Sequence, residues 1–196
     1  MANTTGRDNL RVSAALPIAE QARVLLIEDD LSYAGYVQAL FYMNDELDGE
    51  LVVAHTLAAG VKHLREQGEF DAVLLDLNLP DSQGLDTLSW LLGQVPKANV
   101  IVLTGNEDRG QGVQAVAAGA QDFLVKNSAL EAQLPRAICF SIQRKYFLQR
   151  LEEAQNLARI GNWEIRPDDN YFYASPAVYN FFQLDREEHT CSRYEE

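Results

Sequence analysis

Two cysteines in 196 residues, Cys139 and Cys191, are too few for a disulfide framework, and no CxxC pair is present to hold a metal. The three histidines, His55, His63 and His189, lie in no ligand spacing such as HExxH, which argues against a histidine-based metal hydrolase. Neither GxGxxG nor GxxxxGK[ST] follows the first strand-like segment, so the two common glycine-rich phosphate loops are excluded. Basic charge is scarce. Sixteen Lys and Arg against 29 Asp and Glu leave a net charge of −13, which disfavours nucleic acid or an anionic membrane surface as a partner. No apolar run approaches the ~18 residues that span a bilayer, and the first twenty residues lack the continuous apolar region of a signal peptide. With its cysteines suited to a reducing compartment, the chain is expected to be cytoplasmic.

What is present is 47% hydrophobic and 23% charged residues, the balance of a globular chain, at a length that allows one domain with a real core plus something smaller. The excess negative charge is concentrated early: residues 1–130 carry 8 basic and 18 acidic side chains, residues 131–196 carry 8 and 11. Residues 1–21 read as a flexible leader. Five short apolar runs then alternate with helical patterns: Val24–Ile27, the LVVAH segment from Leu51, FDAVLLDLNLP from Phe70, NVIVLTG from Asn99 and DFLVK from Asp122. Tyr33, Val37, Leu40 and Phe41 recur at helical spacing after Asp30, a potential helix cap. Alternation of this kind predicts a doubly wound α/β domain over 22–134, with a five-stranded parallel sheet and helices on both faces.

In such a sheet, ligands bind outside the carboxyl ends of the strands. Four strands end in polar groups: Glu28-Asp29-Asp30, Asp76, Thr104 and Lys126. Any one of these would ordinarily cap a helix or close a turn. Together they bring several carboxylates, a hydroxyl and an ammonium to one rim. An all-oxygen set suits Mg²⁺, while the lysine and hydroxyl suit an anion beside it. That chemistry points to phosphoryl transfer, with Asp76 as a nucleophile that becomes an aspartyl-phosphate.

Motif by motif, residues 23–130 resemble the receiver domain of bacterial two-component response regulators. RVLLIEDD is similar to the family's first strand and acidic pair, VLLDLNLPDSQGLDTL to its phosphoacceptor segment, IVLTGNED to its switch-threonine segment and DFLVK to its lysine segment. The resemblance implies a flavodoxin-like sheet of order 2-1-3-4-5. It also implies metal ligation by Glu28, Asp29, Asp76 and the Asn78 backbone carbonyl, with Asp76 the phosphoacceptor and Thr104, Phe123 and Lys126 the switch and phosphoryl-contacting groups. A sensor histidine kinase or histidine phosphotransfer protein would be the donor. Lys126 would act by electrostatic contact with the added anion rather than by packing. Two positions depart from the pattern. Asn127 replaces the proline that commonly follows the lysine in a cis bond, so either Lys126-Asn127 is cis or the loop runs differently. Phe123 has no hydroxyl to report burial by a hydrogen bond.

Beyond the first domain, residues 135–160 read as one long signalling helix in which Phe147, Leu151, Ala154 and Ala158 form a narrow seam, and a parallel homodimer through 140–158 follows. LARIGNWEI and YASPAVYNFFQLDREE resemble the opening of a PAS sensory domain, incomplete over 161–196. A kinase or cyclic-di-GMP output domain would lie beyond residue 196. The rival reading is a pseudo-receiver, a non-phosphorylated dimerisation or docking module. A phosphoaspartate-type hydrolase is disfavoured because it needs a second acid where Asn78 stands.

Overall fold

The computed structural model describes residues 22–45, 47–105, 109–158, 160–166 and 171–182, so the expected leader lies outside the described residues. The chain divides into two compact units, Met1–Arg144 and Lys145–Glu196.

Five parallel strands form the sheet of the first unit: β1 (Ala22–Ile27), β2 (Gly49–Ala54), β3 (Ala72–Asp76), β6 (Val100–Thr104) and β7 (Asp122–Val125), in the order β2-β1-β3-β6-β7. Numbered among themselves, this is the 2-1-3-4-5 order expected from the sequence. β3 and β6 are buried at every position, as continuous apolar runs covered on both faces should be. Alternate residues of β1 serve two cores. Val24 and Leu26 pack with Val37 and Phe41 of α1 (Leu31–Tyr42) and with Leu134 and Ile138 of α5 (Leu130–Leu157). Leu25 and Ile27 face Val61 of α2 (Leu57–Glu66), Leu88 and Leu91 of α3 (Leu85–Gln94) and Ala115 of α4 (Arg109–Ala117).

Two local features differ from the pattern of the sequence. The third apolar run does not continue as one strand to Pro80. β3 stops at Asp76, and β4 (Asn78–Leu79) turns back through Pro80 to pair antiparallel with β5 (Ser82–Gln83). Helix α5 begins at Leu130, ahead of the 135–160 helix read from the sequence, so that Pro135 falls in its second turn. Its start is drawn back by Asn127, whose Oδ1 accepts the Ala129 N–H at 2.8 Å and whose carbonyl accepts the Leu130 N–H at 3.1 Å. The buried part of α5 ends at Ser141, where Asn99 Nδ2 donates to Ser141 Oγ at 3.2 Å and that hydroxyl donates to the Ile138 carbonyl at 3.0 Å.

The second unit holds the last turns of α5, an antiparallel pair β8 (Trp163–Arg166) and β9 (Tyr171–Ala174) in register Trp163 to Ala174, and α6 (Pro176–Phe182). Ser175 ties its strands to the approach from α5: its N–H donates to the Asn162 carbonyl at 2.8 Å and its Oγ accepts the Asn162 N–H at 3.1 Å. Among the described residues no helix is long and apolar enough to cross a membrane.

Candidate functional site

The carboxyl ends of β1 and β3 lie side by side because the two strands pair directly, Ile27 opposite Leu75. Glu28 follows β1 and Asp76 closes β3, so the pairing alone brings two acids together. Glu28 is 1% exposed and Asp76 6%. Asp29 is exposed, yet one carboxylate oxygen from each of Glu28, Asp29 and Asp76 falls within 4.8 Å of the others. Asp30 turns away from this group and caps α1, accepting the Ser32 and Tyr33 N–H groups at 2.8 and 3.1 Å.

Lys126, just past β7, crosses to this cluster and spans it. Its Nζ donates to Glu28 Oε2 and to Asp76 Oδ2, both at 2.7 Å. Burial pushes the Glu28 carboxyl above its ordinary range, with the Asp76 charge adding to the rise and Lys126 opposing it. Burial also works against the Lys126 charge, but the hydrogen bonds and charges of Asp76 and Glu28 outweigh it and hold the ammonium above its usual value. Three carboxylates and one ammonium leave a formal charge of −2, which a divalent cation would neutralise. The donors are all oxygen, the preference of Mg²⁺. The residues present therefore fit that ion.

Thr104 ends β6, and its Oγ1 is buried without a hydrogen-bond partner among the described residues. Its backbone carbonyl accepts the Lys126 N–H at 2.7 Å, so the hydroxyl and the ammonium belong to adjoining strand ends. A buried hydroxyl left unpaired costs on the order of 1–3 kcal/mol.

Residues 24–138 match the family model of the response regulator receiver domain. The chain belongs to the response regulator receiver family. This receiver is 28% identical over 167 residues to AlgB, an alginate biosynthesis transcriptional regulatory protein of Pseudomonas putida, covering 85% of this chain and 35% of that one. It is 34% identical over 113 residues to the transcriptional regulatory protein KdpE of Mycobacterium tuberculosis, covering 58% of this chain and 48% of that one. The chain thus spans about a third to a half of the length of these relatives. A receiver-domain structure from Clostridium thermocellum superposes with a TM-score of 0.57 at 26% identity, covering 65% of this chain and 98% of that one.

At the position where receivers commonly carry proline, the question left open by the sequence has a definite answer. No cis peptide bond occurs among the described residues, so Lys126-Asn127 is trans and the loop runs differently. Asn127 makes the turn into α5 described above, and the ammonium is aimed by Glu28, Asp76 and the ring of Tyr33, whose centroid lies 4.5 Å from Nζ. Phe123 is half-buried on β7, opposite Val102, and its ring fills the space over Gly112 of α4, where an added Cβ would collide with it. Asn78 stands at the start of β4, and its N–H donates to Asp76 Oδ1 at 3.2 Å.

Three residues that the sequence did not single out support the site. Tyr33 reads as one more apolar position of α1, and only the fold puts its ring against Lys126. His55 Nδ1 carries its proton toward the Glu28 carbonyl, 2.9 Å away, since a carbonyl can only accept. Asp81, at the tip of the β4–β5 ribbon, accepts the Leu57 and Ala58 N–H groups with its two oxygens, each at 2.9 Å. The segment 55–58 is thereby fastened both to Glu28 and to the ribbon that begins with Asn78. On the ribbon's other side, Thr87 Oγ1 donates to the Leu77 carbonyl and accepts from the Ser82 hydroxyl, both at 2.9 Å. No signal in a single sequence marks these contacts, which join residues 5 to 27 positions apart.

Proposed function

We propose that Asp76 of this receiver accepts a phosphoryl group from the phosphohistidine of a sensor kinase or histidine phosphotransfer protein. The observation that carries this reading is the single lysine spanning two buried acids, with a third acid beside them and an unpaired buried hydroxyl at the next strand end. Glu28, Asp29, Asp76 and the Asn78 carbonyl would hold Mg²⁺, with Glu28 acting through water. When bound, Mg²⁺ supplies charge neutralisation for the phosphoryl oxygens. An Asp76 oxygen attacks phosphorus, the P–N bond to the histidine breaks, and the imidazole leaves. Lys126 exchanges a carboxylate contact for a phosphoryl oxygen, and Thr104 Oγ1 gains the acceptor it lacks. Moving Thr104 inward frees space that Phe123 can occupy, which changes the face made by α4, β7 and α5.

Beyond the receiver, the reading extends to α5 as a signalling helix that pairs in parallel with a second copy through 140–158. Its support is the exposure of Phe147 and Leu151, at 53% and 56%, in line with the small Ala154 and Ala158. Residues 161–196 are read as the opening of a PAS domain, a proposal supported by the β8–β9 pair followed by α6.

One observation favours the rival. Because Lys126 offsets the charge of Glu28 and Asp76, the acids are tolerable without a cation, and a docking module could retain them. Beryllofluoride with Mg²⁺ separates the two readings: fluorine NMR should show a bound adduct on the wild type and none on Asp76→Asn. A wild type with no adduct sinks the phosphoacceptor reading and leaves the docking module.

A further inference from the structure

We propose that Tyr33 is a positioning residue for phosphoryl transfer at Asp76, holding the Lys126 ammonium at the acid pair with the face of its ring; this deepens the phosphoacceptor reading and rests on it. The starting observation is geometric. Lys126 reaches the cluster along a long flexible stem and is held there at three points: Glu28 Oε2, Asp76 Oδ2 and the Tyr33 ring centroid at 4.5 Å. The two carboxylate contacts are the ones that chemistry must loosen, because Lys126 has to give part of its bonding to an incoming phosphoryl oxygen. The ring contact is not consumed in that exchange. It can keep the ammonium in place while one carboxylate is traded for the new anion.

Local structure makes Tyr33 a firm support. Its N–H is held by the Asp30 cap at 3.1 Å, its body packs against the core shared by α1 and α5, and its ring lies 6.0 Å from that of Tyr36. The Tyr33 hydroxyl is buried with no hydrogen-bond partner among the described residues, so the hydroxyl is not what anchors the side chain. Burial, with the charges of Glu28, Tyr36 and Asp76 added, pushes that hydroxyl well above its ordinary pKa, so the ring stays neutral and offers its face to the cation. A half-buried aromatic body over the ammonium also narrows the approach of water to Lys126.

The test uses the full chain with Mg²⁺ and phosphoramidate as phosphodonor. An Asp76 oxygen attacks phosphorus, the P–N bond breaks as the P–O bond forms, and the nitrogen, already bearing three hydrogens in the zwitterion, takes the bonding pair and leaves as ammonia. Wild type, Tyr33→Phe and Tyr33→Leu are compared by the rate at which each gains one phosphoryl group in intact-protein mass spectra. Loss of the ring should slow Tyr33→Leu by about two- to tenfold. Tyr33→Phe should restore the wild-type rate. Equal rates for Leu and wild type, or a Phe variant as slow as Leu, would overturn the assignment of the role to the ring. A second measurement needs no variant that folds poorly: the ε-methylene protons of Lys126 should be shifted upfield by the ring current in the wild type. Their appearance at the ordinary lysine position would also overturn it. Failure of the wild type to form a beryllofluoride adduct is a separate outcome that removes the phosphoacceptor reading itself.

Discussion

Lys126 has a structural duty beside the phosphoryl contact proposed for it, and its place in the sequence suggests only the second. As a group awaiting a phosphoryl anion it would be dispensable for folding, but it is also the counter-charge of a glutamate that is 1% exposed and an aspartate that is 6% exposed. Its removal leaves two carboxylates facing each other in a poorly hydrated rim. Lys126→Ala should therefore destabilise the receiver by about 2–4 kcal/mol in metal-free buffer, measured by urea denaturation. An unchanged midpoint would mean that solvent already screens the acids. The pH dependence has a definite sign. Lys126 has a raised folded-state pKa, so its stabilising contribution is complete below the unfolded lysine value near 10.4 and is lost as pH rises through the folded value. Glu28 is also raised, so its contribution is complete below about pH 4.3 and lost as pH rises through its folded value; at neutral pH the charged form is a liability. Glu28→Gln, which keeps a neutral acceptor, should raise the thermal midpoint at pH 7 and flatten the loss of stability above about pH 4. A lower midpoint would show that the Lys126 ion pair outweighs burial.

Among the elements, the β4–β5 ribbon and α2 act as a brace for the loops that carry the acids. Asp81 satisfies two of the free N–H groups at the start of α2 while Thr56 accepts a third, from Ala59 at 3.1 Å. Asp81→Ala should cost about 1–2 kcal/mol and speed amide exchange at Leu57 and Ala58, read by native-state hydrogen exchange. Unchanged exchange there would remove the brace. Strand ends were legible in the sequence because buried parallel strands are continuous apolar runs that stop abruptly at a polar residue: Glu28, Asp76, Thr104 and Lys126 each follow or close such a run. The brace was not legible. Asp81 reads as a turn residue after Pro80, and its partners lie 23 and 24 positions earlier with no spacing rule to link them. Tyr33 was hidden for a different reason: at helical spacing with Val37 and Phe41 it looks like core, and its ring does pack on that core while its face meets the lysine. Asn127 could be read only as a missing proline until its turn into α5 was seen.

For the whole molecule, the proposed function would require that an event at Asp76 reach residues beyond 144. Among the described residues, the one element that runs through both compact units is α5, buried against the sheet up to Ser141 and exposed along Phe147 and Leu151 thereafter. If that stripe is covered by a second copy, sedimentation equilibrium at about 100 µM should give the dimer mass, and Leu151→Glu should shift it toward monomer by placing like charges in the seam. A wild type that stays monomeric at that concentration leaves α5 as a monomeric linker. All of this depends on chemistry at one carboxylate, and that can be read directly. An aspartyl-phosphate is an acyl phosphate, so borohydride reduces it to homoserine, and peptide mapping then reports which residue was modified. After phosphoramidate treatment with Mg²⁺, homoserine should appear at position 76 and at no other acid, and it should be absent when Mg²⁺ is chelated. Homoserine at a different residue, or none in a folded wild type, would contradict the account.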